Sequence, residues 1–132
     1  MHFLLLALVA LPSLVLIDFL WLGVVAKGFY ASQVGALMRA QPDLGAAGAL
    51  YILLACGLTY FAILPGYLSG SLVKTVLTAA AFGFVAYGIY DLTNLATLNG
   101  WSLTVSVVDM LWGAFLCAAT SAIAFSVMKF FS

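Results

Sequence analysis

The stretch GIYDLTNLA, Gly88–Ala96, decides the fold. Taken alone it reads as a loop, because Asp91, Thr93 and Asn94 fall within four positions. Its surroundings say otherwise. The run from about Leu72 to Leu95 is otherwise mainly apolar and exceeds the roughly 20 residues a helix needs to cross the hydrocarbon core. Three further stretches meet that requirement, about Phe3–Val25, Ala46–Leu68 and Leu103–Met128. The expected fold is all-α: a four-transmembrane-helix bundle, with residues 1–132 forming one integral-membrane domain.

Composition points the same way. Of the 132 residues 67% are apolar, with four basic and four acidic side chains. Every acid is an aspartate; a soluble helical protein would solvate its outer faces with Glu and Lys, so these faces are expected to meet lipid. Zero net charge argues against nucleic acid, since no basic patch is present to neutralise phosphates. Cys56 and Cys117 lack metal or redox spacing and read as small buried apolar residues. With His2 the sole histidine, neither haem nor zinc is expected. The first span has no basic leader segment and carries Asp18 and Trp21, so it reads as a retained helix rather than a cleaved signal.

The connection from Ala26 to Gly45 is long for a bundle. Tyr30, Val34, Leu37 and Met38 recur there at helical spacing, which predicts a short amphipathic interfacial segment between helices one and two. Asp43 in QPDLG is the expected cap of the second span. PGYLSGS is expected to be a tight turn, and Asn99-Gly100 a reversal with Trp101 at an interface. Ala114, Ala118 and Ala122 on helix four, and Ala79 with Gly83 on helix three, predict closely packed faces. Lys27 and Arg39 at one end balance Lys74 and Lys129 at the other, so charge leaves the orientation open.

Three aspartates need an explanation. Asp18, Asp91 and Asp109 fall inside spans, where an ionised carboxylate costs ~2.5–3.5 kcal/mol at the membrane centre. In an up-and-down bundle, Asp18 and Asp91 lie near the ends of helices one and three, and Asp109 near the start of helix four. All three then sit toward one face of the membrane. Tyr87, Asp91 and Asn94 share a helix face, with Tyr90 and Thr93 flanking, while Ser102, Ser106, Asp109 and Trp112 share another. Asp and Trp are three apart in both DFLWLG and DMLWGA. The expectation is a ligand-binding pocket built from Asp18, Trp21, Tyr87, Tyr90, Asp91, Thr93, Asn94, Asp109 and Trp112. Arg39, folded back from the first loop, is a candidate charge partner; a monovalent or divalent cation at the Asp cluster is another way to offset the charge. No motif assigns a particular metal.

These residues also carry a family resemblance. IDFLWLG, YGIYDLTNLATLNGW and VDMLWG, with GFY after helix one, resemble the bacterial membrane family known as Domain of Unknown Function 2177. Asp18, Trp21, Tyr90, Asp91, Thr93, Asn94, Asp109 and Trp112 match its pattern. The resemblance implies a small four-helix protein of the bacterial inner membrane and implies no particular activity.

Three functions fit the residues. The first is binding or transport of a proton, cation or small ligand, with an Asp changing protonation and a homodimer as the transporting unit. The second is an integral-membrane enzyme acting on a lipid or isoprenoid, with Asp91 or Asp109 as general acid or base. In the third, a non-catalytic assembly subunit, the polar cluster only organises the bundle. Whichever holds, the lipid bilayer is a partner.

Overall fold

Helix boundaries follow local chemistry. Asp43 accepts a hydrogen bond from the Ala46 amide at 3.0 Å, and Ser71 and Ser102 do the same for the Lys74 and Val105 amides, each at 3.1 Å. Each bond satisfies one amide left free by a helix start. Gly70 and Gly100 take positive φ angles of 75° and 82°, which a side chain would disfavour, and reverse the chain between helices. The computed structural model describes residues 1–132 and contains five helical elements. Four are long and apolar enough to cross a membrane: α1 (His2–Val25), α3 (Leu44–Ser69), α4 (Leu72–Thr97) and α5 (Leu103–Phe131). Between the first two lies α2 (Lys27–Val34), continued by a single 3-10 turn at Gly35–Leu37. The four-helix bundle and the short intervening segment of the sequence reading are both present.

Two wide turns shape the spans. α1 ends in a π-helical turn at Trp21–Val25, where the Ala26 amide donates to the Trp21 carbonyl at 2.7 Å and the chain bends into α2. α3 contains a second at Thr59–Ile63, directly ahead of Pro65. A proline ring presses on the carbonyl four residues back, and the widened turn gives it room. PGYLSGS is therefore not a turn throughout. Helix continues through Pro65 to Ser69, and only Gly70 and Ser71 reverse the chain. The interfacial helix is also shorter than its apolar spacing predicted: Leu37 closes the 3-10 turn, and Met38 is extended.

The inward faces are continuous stripes. On α1 they run Leu6, Ala10, Leu14, Asp18 at four-residue intervals; on α4, Thr75, Ala79, Gly83 and Asp91 are buried. α5 buries Asp109, Gly113, Leu116 and Cys117, Thr120 and Ala124. Outward positions such as Leu8, Leu53, Ile89 and Phe115 are large, apolar and exposed, as a lipid-facing surface requires. α4 and α5 pack most extensively, crossing at Gly83 and Gly113. A Cβ on Gly83 would collide with the Gly113 carbonyl, and one on Gly113 with the Tyr87 ring. Ala79 and Gly83 form the expected packing face. Ala114, Ala118 and Ala122 do not: they are half-buried, and the seam runs along Gly113, Cys117 and Thr120. Both cysteines are free, Cys117 buried and Cys56 half-buried.

α3 leans differently along its length. Its first half rests on α1, and it meets α4 chiefly through the Thr59–Ile63 turn. Toward the other end α3 and α4 diverge.

Candidate functional site

That divergence leaves a cavity of about 780 Å³, half-open and largely apolar, roofed by α2 and the loop that follows it. Asp18, Asp91 and Asp109 all reach it, each carried there by the buried stripe of its own helix. Tyr87 and Tyr90 line it from α4, and Tyr51 from α3. Lys27, Arg39 and Asp43 stand at its rim.

The three carboxylates are served unequally. Asp18 accepts from the Tyr51 hydroxyl and from the Trp112 indole, the latter at 2.9 Å. Asp109 accepts from the Tyr30 hydroxyl at 2.9 Å, and Tyr30 in turn accepts from the Trp21 indole at 3.1 Å. Trp21 and Trp112 stack with centroids 4.5 Å apart and planes within 10°, joining the two networks. Asp91 has nothing. It is fully buried, neither carboxylate oxygen meets a donor, and Asp109 is its acidic neighbour. A buried polar group without a partner costs ~1–3 kcal/mol, more if charged. Three donors, one of them steadied by Trp21, therefore serve two of the aspartates and leave the third without one.

Tyr30 holds its place as a donor. Burial pushes its hydroxyl above the ordinary phenol range, so it keeps its proton and donates to Asp109 at physiological pH. The carboxylates draw their hydrogen bonds from Tyr and Trp alone. Arg39 reaches the cavity but donates to none of them. No group of three or more His, Cys, Asp or Glu is arranged to hold a metal ion, so the aspartates do not form one chelating set.

Of the nine residues expected in a pocket, five border the cavity directly. Asp18, Tyr87, Tyr90, Asp91 and Asp109 line the cavity; Trp21 and Trp112 stand behind it, bonded to residues that do. Thr93 does not belong. Two residues beyond Asp91 it points ~200° away around the helix, onto an exposed lipid-side groove with Gly88 and Met110. Asn94 is half-buried one turn on, outside the lining, and its amide does not reach Asp91. Three aromatic residues were missed. Tyr30 had a signal, as the polar member of the apolar spacing in α2. Trp101, expected at an interface, lines the cavity, packs edge-on to Tyr90 and donates to Ser106 at 3.1 Å. Tyr51 had none: nothing in the sequence separates it from Tyr60, which is 63% exposed.

Four lipid-length helices around a largely apolar cavity with aspartates in its wall define an integral membrane protein. Within that class the chain belongs to the predicted membrane protein family Domain of Unknown Function 2177, whose model matches residues 3–126. Neither a curated protein nor a solved structure matches it.

Proposed function

We propose that this is a binding or transport protein in which Asp91 engages a proton or a hydrogen-bond-donating ligand. The observation that carries the reading is the bare carboxylate: Asp91 is fully buried at a cavity wall, both oxygens lack donors, and its two acidic neighbours in the cavity are already bonded. A side chain whose role was to hold the bundle together would spend its oxygens on other helices, as Asp18 does. A proton shared with the neighbouring Asp109 carboxyl, or a donor carried by a ligand, would supply what these oxygens lack. A cavity of this size falls within the ~300–1,000 Å³ of sites that enclose small molecules. Residence in the bacterial inner membrane as a single domain, and a homodimer as the transporting form, belong to the same proposal, since four helices enclose only a half-open chamber.

All three tryptophans of the chain border the site, so their emission reports on it. The test is a pH titration of tryptophan emission with the protein in phosphatidylcholine nanodiscs. A transition is expected in the wild type, and Asp91→Asn should remove it. The reading fails if the wild type shows no transition, or if the variant keeps it.

A further inference from the structure

We infer that the cavity opens sideways to lipid between α3 and α4 and takes the headgroup of an aminophospholipid, its ammonium on Asp91 and its phosphate between Lys27 and Arg39. This rests on the binding reading above and names the ligand class.

The mouth is read from exposure. Leu50 on α3 and Tyr90 on α4 both line the cavity, yet are 57% and 56% exposed, and both lie inside membrane spans. What they are exposed to is hydrocarbon. From Ala46 to Leu54 the α3 wall of the cleft runs ~12 Å along the helix, from the span's end into the bilayer. α4 does not close it, because the two helices meet mainly at Thr59–Ile63.

The occupant follows from charge and size. The cavity has acid at its inner wall and, at its rim, two cations beside Asp43, whose carboxylate is engaged in capping α3, so it is complementary to a head with both signs rather than to a simple cation or anion. Asp91 needs donors, and a primary ammonium offers three N–H groups where a quaternary one offers none. The volume suits a headgroup and the start of one chain. Two whole acyl chains would not fit, and the open side lets them remain in the bilayer. A ligand arriving from water would gain nothing from an apolar mouth inside the span.

The test uses the full chain in phosphatidylcholine nanodiscs containing a small fraction of brominated lipid, with quenching of tryptophan emission as readout. Brominated phosphatidylethanolamine should quench with about tenfold higher apparent affinity than phosphatidylcholine carrying the same brominated chains, one charge-assisted hydrogen bond's worth. Asp91→Asn should abolish the preference, and Arg39→Gln or Lys27→Gln should reduce it about threefold. The wild-type comparison stands even if Asp91→Asn fails to fold. Equal quenching by the two headgroups overturns the inference, as does a preference that every variant leaves untouched. If the pH transition of tryptophan emission persists through such a failure, the lipid assignment falls and the binding reading survives.

Discussion

Asp91 and Asp18 are chemically identical and physically opposite. Asp18 is held by Tyr51 and Trp112, so its removal strands two donors as well as a buried stripe position. Asp18→Ala should therefore destabilise the protein by about 2–4 kcal/mol, read from thermal unfolding in detergent. Asp91→Asn should leave the melting temperature unchanged or raise it, because an unpartnered carboxylate is a cost the fold already carries. A large loss of stability in Asp91→Asn would mark that residue as structural. Tyr30→Phe lies between them: Asp109 loses its donor, and Trp21 loses its acceptor, for an expected ~1–3 kcal/mol. Much of this scale was legible in the sequence. A carboxylate in a span must face inward, and four-residue spacing from Leu6, Ala10 and Leu14 carries Asp18 there. Which aspartate would be satisfied was not legible, because Tyr51 and Tyr30 come from elements whose placement depends on the whole packing.

Among the elements, α4 and α5 form the rigid half. Gly83→Ala or Gly113→Ala forces backbone against backbone or ring, and should cost about 1–3 kcal/mol and loosen the cavity wall through Tyr87. Ala118→Val, half-buried beside the seam, should cost less than either, a ranking that denaturation in one detergent can check. The sequence predicts close packing at the alanine ladder as well as at Ala79 and Gly83. Small residues announce that helices can approach closely, but which of several neighbouring stripes does so depends on rotation about the axis, and that is set by partners far away in sequence. The spans were readable because length and apolarity alone identify them. The wide turns at Trp21–Val25 and Thr59–Ile63 were not, since a single added residue in a turn leaves the apolar pattern nearly intact.

At the level of the whole molecule, the four basic side chains are divided evenly between the two ends, whereas all four aspartates lie at the cavity end. Lys27 and Arg39 flank the cavity, whereas Lys74 follows the opposite turn and Lys129 packs 4.8 Å above the Tyr67 ring. Replacing Lys74 and Lys129 by Gln should place the cavity end in the cytoplasm in nearly every copy, as read by reporter fusions at the C-terminus; an unchanged distribution would show that charge does not set the orientation. The wide turn in α3 has a mechanical meaning as well. Below it, Leu44–Leu58 is a helical arm of 15 residues that rests on α1 and touches α4 little. Such an arm is ~22 Å long, so a tilt of about 10° about the turn displaces its far end by ~4 Å, roughly the thickness of one hydrocarbon chain. A tilt of that size about the Thr59–Ile63 turn would change the width of the cleft between α3 and α4 by about as much as one chain occupies.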